Sequence, residues 1–368
     1  MGASIAYHLA MRGVKHILLL EKDDFFGLEA TGRCAGGVRY QFATEANVRL
    51  SLVSLPMLER FEEEIGQAID YRKCGYLFAL TNPTDVAVFQ HNMGMQNRLG
   101  AGTQWLDGDE IRRWLPMMRL EDVLGGTYNP RDGLVDPSSV VMGYINTGKR
   151  LGVTALTGVE VTGLRVKAGS IHAVETNQGN VSTPHVVNAA GPWAGVVGRM
   201  AGVDIPITPI RRQWFTTSAL PEIPADFPFL IDFAQSLYFH REAKGLLIGM
   251  SNSDEPPGFD QNVDPEWELA IVESAAARMP LLEKASLVSR LAGLYEVTPD
   301  AHPIFGRTPV DGFSVCAGFS GHGFMHGPIS GLLMSEILLD GQAQAVDVSQ
   351  LDLARFAEGR MIQEYNVV

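Results

Sequence analysis

The sequence predicts a two-part α/β fold: a Rossmann-like dinucleotide-binding domain interleaved with a strand-rich substrate domain. Three observations predict it. The chain opens on the helix–turn–strand–acid order of a βαβ unit. Strand–glycine–helix units recur in the middle and near the end, and strand-rich stretches lie between them. A length of 368 residues suits two domains, and 46% apolar content with 39 glycines suits a well-buried chain with many tight turns.

Taken in order, Ser4 to Met11 reads as helix, Arg12-Gly13 as a turn, and Ile17 to Leu20 as a fully buried parallel strand ending at Glu21. Gly2 stands where the third glycine of G-x-G-x-x-G falls. The first strand and first two glycines of that motif do not appear. Met1 is therefore expected to be an internal methionine, with about 20 residues of strand and glycine turn upstream. Residues 24–42 carry Gly27, Gly32, Gly36 and Gly37 and little periodicity, so they read as a long irregular loop of the kind that is usually functional. Glu45 to Ile65 has apolar residues at helical spacing. Tyr76 to Leu80 is a strand stopped by Asn82-Pro83. Residues 84–118 are read as mostly helical, with a capped start at Leu106–Glu110.

Gly125 to Val135 reads as a glycine-rich turn region, and Pro137 starts a helix to about Leu151. Val159–Leu164 and Ile171–Thr176 form a β-meander that turns at Asn177-Gln178-Gly179. His185–Gly191 is a strand entering a turn. Strands follow at Gln213–Thr217, Ser236–His240 and Gly245–Gly249, then a helix at Pro265–Met279, a strand over 287–298, a buried strand at Phe313–Gly318, and a helix at Gly327–Leu339. The nucleotide domain is thus expected over 1–72, 130–208 and 297–368, and the substrate domain over 73–129 and 209–296.

The net charge of −13 disfavours nucleic acid and anionic lipid as partners. No run reaches the roughly 18–20 apolar residues of a membrane span, and no signal-peptide pattern precedes the first helix. Three widely spaced cysteines argue against a disulfide framework and fit the cytoplasm.

Several residues carry chemistry. Glu21, about 20 residues on from Gly2 at a strand end, can accept both ribose hydroxyls of an adenosine. Asn188–Trp193 places small residues where backbone can approach a ligand; an ordinary strand-to-helix turn fits equally well. Gly318–Phe324 ends a buried strand and opens a helix, whose exposed N–H groups suit negative charge developing on a reduced flavin. His322, between glycines, reads as a turn-shaping or flavin-contacting residue more than as a base. His322 and His326 have the spacing of a zinc pair but no acid between them, so no metal is expected. Arg33 and Arg39 flank Gly36-Gly37 and can serve a pyrophosphate and a substrate carboxylate; a surface arginine held by an acid is the plainer alternative. Cys34 reads as a buried, inert thiol.

Together these pieces resemble the D-amino-acid oxidase / glycine oxidase / sarcosine oxidase superfamily of FAD amine oxidoreductases. The most specific part is Thr298-Pro299-Asp300-Ala301-His302-Pro303-Ile304-Phe305-Gly306 followed by Gly318–Phe324. The loop Gly32–Phe42 looks most like the β subunits of dye-linked L-proline dehydrogenase and sarcosine-oxidase-like proteins. The resemblance implies a GR2-type FAD domain with an antiparallel-sheet substrate domain. It implies Glu21 and Lys22 at the ribose, Thr31, Gly32 and Arg33 along the pyrophosphate, and Cys34, Ala35, Gly36 and Gly37 past the flavin ring. Val161 would meet the adenine, Ala190, Gly191 and Trp193 would complete the cradle, and Gly321, His322, Gly323, Phe324 and Met325 would meet the flavin pyrimidine. It places Arg39 on the substrate carboxylate, with Tyr295, Tyr238 and His322 on the substrate side.

The departures matter too. Gly293 stands where monomeric sarcosine oxidases link flavin to a cysteine, and no histidine stands at Val135-Asp136, so FAD is expected to be non-covalent. Leu247 and Met325 replace two lysines of the oxidases. The activity implied is oxidation of the C–N bond of a small amino acid or secondary amine, of sarcosine, dimethylglycine, proline or glycine type. The alternatives are a 2-hydroxy-acid dehydrogenase and a non-catalytic flavoprotein subunit or assembly factor. A hetero-oligomer with other oxidoreductase subunits is a further expectation, with the electron acceptor open.

Overall fold

The computed structural model describes residues 1–367. In one part of the structure, strand Leu18–Leu20 runs parallel to Thr154–Leu156, and strand Val186–Asn188 runs parallel to Phe313–Ala317, which Ile304–Arg307 flanks antiparallel. The helices Gly2–Met11, Glu45–Glu59 and Gly323–Leu339 pack together beside these strands. Ile5, Leu50, Ile329 and Leu333 join Phe305 and Cys316 in one apolar cluster. The meander Val161–Lys167, Ser170–Thr176 and Gly179–Ser182 forms a separate antiparallel sheet.

The other part is one 8-stranded sheet. Its order is Leu287–Val297, Thr208–Thr217, Gly245–Met250, Leu237–Glu242, Phe229–Asp232, Tyr76–Leu80, Gly125–Asn129 and Gln104–Asp107. Neighbours are antiparallel except Phe229–Asp232 beside Tyr76–Leu80, which is parallel. Side chains alternate between faces along each strand. One face buries Phe215, Leu230, Phe239 and Ile248 against Ile271 and Ala275 of the helix Pro265–Arg278. The other face turns Arg212, Trp214, Tyr238 and Tyr295 toward the loop that carries Arg39.

The structure differs from the sequence reading in several places. Leu18–Leu20 is half-buried, because it is paired along one edge alone among the described residues. The stretch Glu45–Ile65 is two helices, Glu45–Glu59 and Phe61–Ile65. Pro56 is tolerated inside the first, and the break falls at Arg60. A strand, Gln104–Asp107, interrupts the expected helix between Pro83–Arg98 and Gly108–Trp114, although Asp107 and Glu110 do form the capping box. The Gly125–Val135 turn region holds two strands, Gly125–Asn129 and Gly133–Leu134. Its glycines answer to neighbours rather than to a turn: a Cβ on Gly125 would lie 2.3 Å from the Trp105 ring, and one on Gly126 2.2 Å from the Phe78 carbonyl. Within the long loop, Gly37-Val38 pairs with Gly133-Leu134. Strands Phe229–Asp232 and Ile304–Arg307 are additional. The last helix starts at Gly323, with Pro328 inside it.

Candidate active site

The irregular loop, the sheet face and the turn before the last helix meet around a cleft of about 880 Å³, its mouth included. The loop contributes Arg33, Cys34, Ala35, Gly36, Gly37 and Arg39. The sheet contributes Tyr238, Gly293 and Tyr295, and the turn contributes Gly321, His322, Phe324 and Met325. Strand register explains the sheet's share. Arg212 pairs with Gly293, and Trp214 and Tyr238 both pair with Gly249, so their side chains project from one face.

Three glycines seat three tyrosines in the wall. A Cβ on Gly37 would fall 1.6 Å from the Tyr76 hydroxyl, and one on Gly249 would fall 2.2 Å from that of Tyr238. At Gly321, where φ is +98°, it would fall 2.3 Å from the Tyr295 ring. Gly293 makes room for the Arg33 stem in the same way, at 2.8 Å.

Arg39 is 6% exposed and has no carboxylate within ion-pairing distance among the described residues. Its guanidinium donates to the carbonyls of Gln41 and Asn366 and lies over the Phe42 ring, 4.1 Å from its centre. Burial lowers its pKa, opposed by Tyr76, Glu364 and Asp132. Asp132, fully buried, accepts from Tyr40 N at 2.7 Å and Gln41 Nε2 at 2.9 Å and so fixes the two residues that follow the arginine. Burial pushes the Asp132 carboxyl up to about 7 against these bonds.

Arg33 lines the cleft, but its guanidinium is occupied by main chain, donating to Leu28 O at 3.1 Å and Ala292 O at 2.7 Å. The His322 ring pairs Nε2 with Ala301 O at 3.1 Å. Burial first, then His326 and Arg39, hold its pKa well below the usual histidine value. It is a neutral imidazole with a buried, unpartnered Nδ1 among the described residues. Burial pushes the Cys34 thiol up to about 11, so it is no reactive thiolate.

The remaining residues singled out in the sequence lie outside this cleft. Gly2 packs on Leu19, where a Cβ would come within 3.1 Å, and faces Ala189. Lys22 Nζ sits 3.8 Å above the Trp193 ring and 3.1 Å from Glu29. Glu21 O accepts from Val159 N at 2.9 Å, which brings the strand end beside the segment leading to Val161. Burial raises the pKa of the Glu21 carboxyl. Thr31 and Gly32 form the turn ahead of Cys34, and Ala190 N bonds the Asn188 side chain at 3.2 Å. Gly191 and Gly323 flank Glu296, whose buried carboxylate accepts from Gly318 N at 2.9 Å.

Glu296, Tyr76, Arg212, Trp214, Phe229 and Ser320 were not anticipated. Strand alternation held the signal for two of them: Arg212 and Trp214 share a face once Thr208–Thr217 is read as a strand.

These residues fit a flavin. One wall is backbone, from Cys34 to Gly37. Facing it, the helix Gly323–Leu339 presents an N-terminus with no side-chain cap and no acid in its first turn. Those N–H groups and the helix dipole would favour negative charge on a ring seated there. At the same helix terminus His322 Nδ1 is a buried acceptor without a partner among the described residues. Among the described residues no helix is long and apolar enough to cross a membrane, and no cluster of His, Cys, Asp or Glu could hold a metal.

Comparison with known proteins agrees with this geometry. The chain is 32% identical to the mitochondrial dimethylglycine dehydrogenase of Rattus norvegicus over 97% of its own length and 44% of that protein. It is 29% identical to the mitochondrial sarcosine dehydrogenase of Mus musculus over 97% of its length and 40% of that protein. It therefore spans less than half of these curated relatives. Among solved structures, the L-proline dehydrogenase from P. horikoshii superposes with a TM-score of 0.90 and 31% identity, covering 98% of this chain and 96% of that one. Residues 1–337 match the family described as DAO, FAD dependent oxidoreductase. With a backbone cradle for a flavin, a glycine turn opening the last helix and a family match over most of its length, the chain belongs to the DAO family of FAD-dependent oxidoreductases.

Proposed function

We propose that this chain oxidises the C–N bond of a small amino acid or secondary amine of the sarcosine, dimethylglycine, proline or glycine type. The observation that carries the reading is Arg39, a buried guanidinium at the cleft with no carboxylate partner among the described residues. An unpaired buried charge is costly, and a substrate carboxylate is the natural counter-ion. The names of the three similar proteins given above, dehydrogenases of dimethylglycine, sarcosine and L-proline, support the same class.

The residues divide the work. Glu21, Lys22 and Val161 would hold the adenosine end of FAD. Ala190, Gly191 and Trp193 would flank the pyrophosphate, and Cys34–Gly37 with Gly321–Met325 would hold the ring. When bound, FAD supplies the acceptor for a hydride from the carbon next to nitrogen, and water then hydrolyses the resulting imine. Arg39 fixes the carboxylate and hence the direction of that C–H bond, a positioning contribution. Tyr76, Phe229, Tyr238 and Tyr295 exclude water from the amine. Burial holds the His322 pKa well below the usual histidine value and its Nε2 is held by Ala301 O, so it is a weak proton acceptor and the substrate enters as free amine. With glycine at 293 and Cys34 protonated, the cofactor is held without a covalent bond. The three free cysteines support a reducing compartment such as the cytoplasm.

A panel of sarcosine, dimethylglycine, L-proline, glycine, D-amino acids and 2-hydroxyglutarate, assayed with an artificial electron acceptor, tests the reading. Turnover of an amino acid of the first group is expected. Turnover of 2-hydroxyglutarate alone, or of nothing with FAD bound, contradicts it.

A further inference from the structure

Strand Thr208–Thr217 carries two adjacent arginines, and the fold treats them oppositely. Arg211 is saturated by acids: Glu255 at 2.9 Å, Asp260 at 3.1 Å and Asp264 at 3.4 Å. Arg212, one residue on, points from the other face into the cleft. It has no carboxylate partner among the described residues. Nη1 donates to the carbonyls of Arg211 at 3.0 Å and Asn252 at 3.4 Å, and Nε is buried with no partner. The guanidinium lies over the Tyr295 ring, 5.3 Å from its centre. Arg39 acts electrostatically on the same tyrosine, so Tyr295 stands within reach of both cations. Among the described residues no aspartate or glutamate lines the cleft.

We propose that Arg212 forms a second anion subsite, and that the preferred substrate is an amino acid bearing a second carboxylate, on its N-substituent or its side chain. This rests on the reading above, in which Arg39 takes the α-carboxylate. A monocarboxylic substrate neutralises one of two unpaired guanidinium groups, whereas a dicarboxylate neutralises both. Burial lowers the Arg212 pKa, with Tyr295, Tyr238 and Glu255 opposing it, which is the desolvation cost that a second carboxylate would offset. The guanidinium's open Nε edge supplies the fork that carboxylates favour.

The test uses two inert probes in which sulfur replaces the amine nitrogen: (methylthio)acetate, with one carboxylate, and thiodiacetate, with two. Binding to the FAD-loaded protein is read from perturbation of the flavin spectrum. Thiodiacetate is expected to bind about tenfold tighter or more, as one added charge-assisted contact implies. Arg212→Met should abolish that preference and leave (methylthio)acetate unchanged, while Arg212→Lys keeps part of it. Equal affinity of the two probes for the unmodified protein, or equal loss of both in Arg212→Met, overturns the second subsite and leaves the Arg39 reading intact. If neither probe binds, the amino-acid reading fails with it. Should Arg212→Met fail to fold, the two-probe comparison on the unmodified protein and on Arg212→Lys still decides.

Discussion

Replacing Arg39 by methionine removes a guanidinium that is 6% exposed, while a stem of similar length keeps the packing against Phe42. Two charge-assisted hydrogen bonds to a substrate carboxylate contribute about 1.5–3 kcal/mol each, so about 3–6 kcal/mol of substrate and transition-state binding is lost. That corresponds to a fall in kcat/KM of about a hundred- to ten-thousand-fold. The folded state is affected by two opposing changes. The carbonyls of Gln41 and Asn366 lose their donor, at about 1–3 kcal/mol each if both stay dry. The unpaired charge is no longer buried, which offsets part of that cost. Flavin content and melting temperature should therefore change much less than catalysis. Steady-state kinetics with an artificial acceptor, beside the binding of (methylthio)acetate, measure both effects. Arg39→Lys keeps the charge and loses the fork, and should fall between. If Arg39→Met leaves kcat/KM and the affinity for the carboxylate probe unchanged, the assignment of Arg39 is refuted.

Four further outcomes are expected. Gly321→Ala forces a Cβ to 2.3 Å from the Tyr295 ring at a φ of +98°, so the purified protein should carry markedly less flavin per chain. The buried pair Arg355–Asp300, 2.8 Å apart with both side chains 0% exposed, ties the C-terminal segment to the Thr298–Gly306 stretch. Arg355→Met should cost about 3–5 kcal/mol in denaturant unfolding because it leaves Asp300 buried and unpaired. Asp132 is raised by burial to about 7, so its folded value exceeds its unfolded one. Its stabilising contribution is complete below the unfolded carboxylate range and is lost as pH rises through about 7. The melting temperature should fall between pH 6 and pH 8, and that slope should flatten in Asp132→Asn. Finally, acid precipitation should release all flavin into the supernatant. Retention on the protein pellet would show a covalent bond and contradict the roles given to Gly293 and Cys34.

Much of the site was legible because its chemistry is local. The Gly318–Phe324 turn, the Gly36-Gly37 hinge and Arg39 sit in short contiguous stretches whose glycines answer to positive φ at Gly36, Gly318 and Gly321 and to side chains pressing on Gly37 and Gly321, and the structure brings these stretches to one cleft. Arg212 was not legible. In sequence it is indistinguishable from Arg211, and only the strand's two-residue period separates an ion-paired arginine from an unpaired one. Tyr76 was read as one more apolar strand residue. Its place in the wall depends on Gly37 making room for its hydroxyl, a contact between distant parts of the chain. The glycines of Gly125–Asn129 misled for the converse reason: they are small because Trp105 and the Phe78 carbonyl press on them, not because the chain turns. Phe229–Asp232 has no alternating pattern, since both of its faces are covered.

The proposed chemistry depends on a carboxylate anchor beside the flavin site. Anaerobic mixing of the FAD-loaded protein with matched pairs, sarcosine against dimethylamine and L-proline against pyrrolidine, tests it most directly. Bleaching of the visible flavin band by at least one amino acid, and by neither parent amine at equal concentration, is the predicted result. Equal bleaching by an amino acid and its carboxylate-free amine would contradict it.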